Sequence, residues 1–136
     1  MKELLHGKNL EDLPQEHQDN LSVLLERINK VRALWGKPIT VTSGYRSMSD
    51  HLRIYREIAE KKGIPFDESK VPLHSKHLYG QAADLYDPDG SLLEFCKADD
   101  DKVIVDAELW GEDDPEVPRV HLQIIPPPSQ HRWFKP

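Results

Sequence analysis

Ser75-Lys76-His77-Leu78-Tyr79-Gly80-Gln81-Ala82-Ala83-Asp84 places a histidine seven positions ahead of a carboxylate, with a glycine between them. Gly80 permits a tight backbone path after His77. Gln81 to Tyr86 then reads as a short strand closed by the turn Asp87-Pro88-Asp89-Gly90. In an extended strand Ala82, Asp84 and Tyr86 share a face, so Asp84 can point where His77 points, and the alanines leave room beside it. Far downstream, His121 lies inside the apolar run Val120-His121-Leu122-Gln123-Ile124-Ile125, a second strand. A lone histidine in an apolar strand is more often a satisfied core residue than a ligand. The upstream pair is what singles this one out, because two imidazoles and one carboxylate suffice to hold a catalytic zinc with its fourth position open to water.

Outward from this segment the chain divides into short elements. Residues 1–18 are polar, with Asn9-Leu10-Glu11-Asp12-Leu13-Pro14 suggesting a turn that packs on the body. Asp19 or Asn20 can cap a helix whose apolar stripe is Leu21, Leu24, Leu25, Ile28, Val31, Leu34 and Trp35, with Gly36 ending it. Ile39 to Thr42 is a β-branched strand leading into Ser43-Gly44-Tyr45-Arg46-Ser47. Ser47 or Ser49 begins a second helix over 50–62, stopped at Gly63. Ser91-Leu92-Leu93-Glu94 reads as a capping box opening a short helix, which Asp99-Asp100-Asp101 interrupts. The 102–110 stretch reads as helix, although Val103-Ile104-Val105 favours a strand. Three prolines terminate the last strand, 120–125. Helices with irregularly interspersed strands imply an α+β fold with a small, mainly antiparallel sheet and flanking helices.

Composition bounds the function. At 136 residues the chain is read as one domain, 1–136, with a single core. A net charge of −6 argues against nucleic acid as the main partner, since phosphate binding needs a basic face. The single cysteine, Cys96, excludes an internal disulfide and reads as a buried structural thiol. No apolar run approaches the ~18 residues of a membrane span. Met1 to Lys8 lacks the apolar core of a signal peptide, so the expectation is a chain made and first held in a cytoplasm; a monomer is expected.

Three motifs carry a family resemblance. Ser75-x-His77-x-x-Gly80-x-Ala82-x-Asp84, preceded by Ser43-Gly44-Tyr45-Arg46-Ser47 and followed by Val120-His121-Leu122-Gln123, resembles the zinc D-Ala-D-Ala carboxypeptidases of peptidase family M15. That family includes phage and bacterial cell-wall endopeptidases and D,D-dipeptidases. The resemblance runs from about Leu21 to the C-terminus, and Leu122 to Arg132 is similar to small phage and prophage members. It implies the hedgehog/DD-peptidase fold, one zinc per chain on His77, Asp84 and His121, and Arg46 contacting substrate and steadying a developing oxyanion. The implied activity is hydrolysis of peptidoglycan stem peptides by a lysin-type enzyme that reaches the wall after release. The cut would be of the D-Ala-D-Ala carboxypeptidase or the L-Ala-D-Glu endopeptidase type. A D,D-dipeptidase and a non-catalytic zinc-bearing wall-binding module are the alternatives.

The general base is where this chain departs from the resemblance. The family commonly has an acidic residue three positions before the last histidine ligand, where this chain has Pro118. Acids nearby are Glu108, Glu112, Asp113, Asp114 and Glu116; similarity of Trp110-Gly111-Glu112-Asp113 to phage-type relatives favours Glu112, with Asp113 and Glu116 behind it. Ser75 can donate to substrate or cap its turn, and Trp110 and Trp133 are candidates for lining the cleft. His51, His74 and His131 are set aside as ligands, His74 with the most reservation because it lies three residues from His77.

Overall fold

Residues 1–135 are described by a computed structural model. Five strands form one sheet: β1 (Val41–Ser43), β2 (Ala82–Tyr86), β3 (Trp110–Glu112), β4 (Arg119–Gln123) and β5 (Trp133–Phe134). Their spatial order is β1-β2-β4-β3-β5, and every pairing is antiparallel except β3 with β5. The helices are α1 (Lys2–Leu5), α2 (Gln15–Trp35), α3 (Met48–Lys62) and α4 (Ser91–Asp106). The fold is therefore α+β with a mainly antiparallel sheet.

Alternation along β2 and β4 assigns the two faces of this sheet. Ala83, Leu85, Val120 and Leu122 are fully buried and join Leu21, Leu24, Ile28 and Val31 of α2 and Leu92, Leu93, Cys96 and Ile104 of α4 in one apolar core. Asp84, Arg119, His121 and Gln123 lie on the opposite face. Cys96 has no exposure, and burial, with Asp87 adding to it, pushes its thiol up to about 12, which makes it an inert packing group.

Several elements differ from the sequence reading. α2 starts at Gln15 behind Pro14, a turn earlier than a cap at Asp19 or Asn20 would allow, and Leu34 is 58% exposed, so the buried stripe ends at Val31. The N-terminal segment contributes more than a polar turn: Leu4 is fully buried, and its carbonyl accepts from Tyr45 N–H at 2.8 Å. A Cβ at Gly44 would come within 2.5 Å of that carbonyl oxygen, so α1 and β1 can meet only at glycine. Ser47 caps α3 by accepting from Asp50 N–H at 3.2 Å, and Gly63 ends it in the left-handed region. α4 has no capping box; Asp87, upstream of the helix, takes the N–H groups of Leu92 and Leu93 at 3.0 and 2.9 Å. The three aspartates interrupt α4 by adopting left-handed conformations in succession, with φ of 53°, 55° and 64°. The 102–110 stretch is split, helical to Asp106 and extended from Trp110. β4 is the middle strand of the sheet, and the chain beyond the prolines returns to add β5 at its edge. No helix among the described residues is long and apolar enough to cross a membrane.

Candidate functional site

His77 stands on a short 3-10 turn, Lys76–Tyr79, that Gly80 closes at φ 71°. Two neighbours clamp this turn. Asn20 of α2 donates to Tyr79 O at 2.9 Å, and Gly80 lies where a Cβ would meet Leu21 and His17 O at about 3 Å. On the other side the Ser43-to-Arg46 segment exchanges hydrogen bonds with His77. Arg46 N–H donates to His77 O at 3.0 Å, and the His77 ring reaches Gly44 O through Nδ1 at 2.9 Å. A carbonyl oxygen only accepts, so Nδ1 carries the ring proton and Nε2 presents its lone pair to the site.

The same reasoning fixes His121. Gln123 donates through Nε2 to Ile125 O at 2.7 Å, which turns its Oε1 toward His121 Nε2 at 2.9 Å. That nitrogen therefore carries the proton, and Nδ1 faces Asp84 Oδ1 at 2.9 Å. His77 Nε2 lies 3.5 Å from the same oxygen. Three lone pairs, from His77 Nε2, His121 Nδ1 and Asp84 Oδ1, thus converge with their ligand atoms within 4.8 Å of one another. They repel unless a proton or a cation lies among them. Each imidazole also has its far nitrogen anchored to an oxygen acceptor, as metal-bound histidines do. The donor set fits a divalent ion of the zinc type.

The electrostatics of the cluster are those of two imidazoles sharing one carboxylate. Burial opposes the charge on Asp84, but the facing His121 and His77 rings, which donate to it when protonated, outweigh burial and hold the carboxyl well below its usual range. Burial depresses His77, and the more distant Asp84 contact offsets this only in part. His121 is also largely buried, yet its shorter contact with Asp84 prevails, with Gln123 and Glu112 adding to it, and its pKa is raised.

The second oxygen of Asp84 faces two arginines, with Arg46 Nη2 at 3.9 Å and Arg119 Nε at 3.7 Å. Both line a cavity of about 360 Å³ walled by Thr42, Ser43, Ile54 and Tyr55. Across the sheet, Trp110 pairs with Gln123 and Gly111 with Leu122, and Glu112, the next residue of β3, lies near enough for its charge to act on His121. Asp84 pairs directly with His121 on β4, and Glu112 ends β3 on the other side of β4. The other acids lie elsewhere: Asp113 binds Lys97 at 2.6 Å, Glu108 pairs with Arg27 at 3.8 Å, and Glu116 is exposed. Ser75 precedes the His77 turn, half-buried, without a capping bond from its side chain. Trp110 lies on the site face, whereas Trp133 packs over Gly111 and donates its indole N–H to Asp101 at 2.7 Å. His74 and His131 are exposed.

Sequence reading assigned no role to Gln123, Arg119 or His51. The first two carried a signal in the period-2 alternation of Arg119, His121 and Gln123 on β4. His51 carried none, because neither its contact with Arg46 nor its contact with the Pro72 carbonyl follows from a periodic pattern.

The family model described as Peptidase M15 matches residues 6–54. That span holds α2, β1, Arg46 and the start of α3, while His77, Asp84 and His121 all lie beyond it. No curated protein and no solved structure matches the chain. Over that span the chain is similar to the M15 peptidases, a family generally dependent on zinc, which suggests a peptidase.

Proposed function

We propose that this chain is a zinc metallopeptidase that hydrolyses the peptide stems of bacterial peptidoglycan, in the manner of a phage or prophage lysin. The observation that carries the metal is the convergence of three lone pairs, each imidazole locked by an acceptor at its far nitrogen. His77 would hold zinc through Nε2, His121 through Nδ1 and Asp84 through its carboxylate. Bound there, zinc supplies positive charge that acidifies a water and polarises a carbonyl. Glu112, on the strand beside β4 and partly buried, is the general base. It takes the proton of the attacking water and returns it to the leaving amine as the C–N bond breaks. Asp113, committed to Lys97 at 2.6 Å, is not available for this. The base thus reaches the site from the neighbouring strand, which offsets the proline at position 118. Arg46 and Arg119 leave the cleft positive once the Asp84 charge is engaged, which suits a substrate bearing a carboxylate near the cut bond and a developing oxyanion. The substrate class rests on the family match and the motif resemblance.

Purified sacculi incubated with zinc-loaded protein, with and without chelator, test this reading, with mass analysis of the released muropeptides. Cleavage that the chelator abolishes is expected, and the fragments report which bond is cut. Glu112→Gln should retain zinc and lose about 10²–10⁴-fold in turnover. Zinc-loaded protein that leaves sacculi intact but splits D,D-dipeptides would make it a soluble dipeptidase. Inactivity on both would leave a zinc-bearing wall-binding module.

A further inference from the structure

His51, in the first turn of α3, is fully buried and has no part in the chemistry derived above. Both of its ring nitrogens are engaged: Nε2 lies 2.7 Å from Pro72 O and Nδ1 3.4 Å from Arg46 Nη1. The carbonyl can only accept, so Nε2 carries the proton, and the guanidinium can only donate, so Nδ1 is its acceptor. The tautomer is thereby set, and the ring is neutral. Arg46 also donates to Ser43 Oγ through Nε at 3.3 Å and Nη2 at 3.1 Å. Its planar fork is held at two edges, and Nη2 is left turned toward Asp84 Oδ2 at 3.9 Å and the cavity beside it.

We propose that His51 is a positioning residue for Arg46, fixing the guanidinium over the site by linking it to the backbone of the loop that leads to His77. The inference rests on the reading of Arg46 as a substrate-facing group. A free arginine side chain samples many rotamers, and a two-pronged contact to an oxyanion requires one of them. The buried ring, braced against Pro72 O, selects that one without placing a charge beside it.

Two conservative variants separate positioning from mere loop anchoring. The Oδ1 of asparagine falls where histidine has Nδ1, so His51→Asn keeps an acceptor for Arg46 but loses the reach to Pro72. The Nε2 of glutamine falls where histidine has Nε2, so His51→Gln keeps the bond to Pro72 O and loses the acceptor. His51→Phe loses both. With sacculi as substrate, His51→Phe and His51→Gln should each lower kcat by about 10-fold or more, as is usual for a supporting partner. His51→Asn should recover most of that, and KM should move less than kcat. In an Arg46→Ala background, His51→Phe should cost nothing further. Recovery by His51→Gln rather than His51→Asn, or losses that multiply in the double variant, would overturn the proposal. The Asn and Gln variants carry the test if His51→Phe does not fold. Long-range 1H–15N spectra of the zinc-loaded chain give a readout independent of activity. An Nε2–H tautomer at His51, and Arg46 side-chain resonances that shift in His51→Gln but not in His51→Asn, are expected even if sacculi prove not to be the substrate. A proton on Nδ1, or Arg46 signals indifferent to both variants, would overturn the tether itself.

Discussion

The rings of His77 and His121 lie 5.2 Å apart around one carboxylate oxygen, and the same neighbourhood moves them in opposite directions. The distances explain it: 2.9 Å from Asp84 Oδ1 to His121 outweighs burial, and 3.5 Å to His77 does not. In zinc-free protein His121 should therefore titrate above the ordinary imidazole value of about 6.5 and His77 below it. The signs for stability follow. The raised His121 contributes stability that is present below the ordinary value and is lost as pH rises through its own. The depressed His77 favours its neutral form, so folding weakens as pH falls below the ordinary value. NMR titration of the two rings measures the order directly, and the reverse order would contradict the unequal contacts with Asp84. Zinc must displace the His121 proton, so calorimetry near neutral pH in buffers of different ionisation enthalpy should show close to one proton released per ion.

At the scale of elements, two residues decide where the chain turns toward the site. Asp87 ends the β2 turn and begins α4, with both carboxylate oxygens committed to backbone N–H groups that the helix leaves unpaired. Asp87→Ala should cost about 1–2 kcal/mol, seen as a Tm lower by roughly 3–8 °C in thermal unfolding, with zinc stoichiometry unchanged. An unchanged Tm would mean that water replaces those bonds. Gly44 is the other device, since its carbonyl orients His77 while its missing Cβ admits the backbone of Leu4. Gly44→Ala would set a methyl group against rigid backbone. It should both lower Tm and weaken zinc binding, whereas Asp87→Ala lowers Tm alone.

For the whole molecule, the cluster joins β2, β4 and the 3-10 turn, so an ion bound there ties the centre of the sheet to the loop before it. An ion that binds only the folded chain stabilises it by about 2.7 kcal/mol at a hundred times its Kd. Differential scanning fluorimetry should show Tm rising by roughly 5–10 °C with zinc and falling back with chelator. His121→Ala should abolish the shift. A zinc-induced rise of the same size in His121→Ala would place the ion elsewhere.

Much of this was legible in the sequence because it is written in local patterns. The 3.6-residue stripe of α2, the alternation of β2 and β4, Gly36 and Gly63 as helix stops, and the grouping of His77, Asp84 and Arg46 with short motifs all depend on neighbours along the chain. The seating of Leu4 against Gly44 and the return of β5 to the sheet edge were not, because each depends on contacts between distant segments. The choice among the acids before His121 is of the same kind: spacing left Glu112 and Asp113 side by side, and the folded chain sets Asp113 against Lys97 while the charge of Glu112 acts on His121. Residue types and their periods thus determined which groups this chain has and which face of an element carries them. Strand register and packing alone decided which groups meet, since a hydrogen bond or a ligand contact requires ångström distances that sequence spacing does not encode.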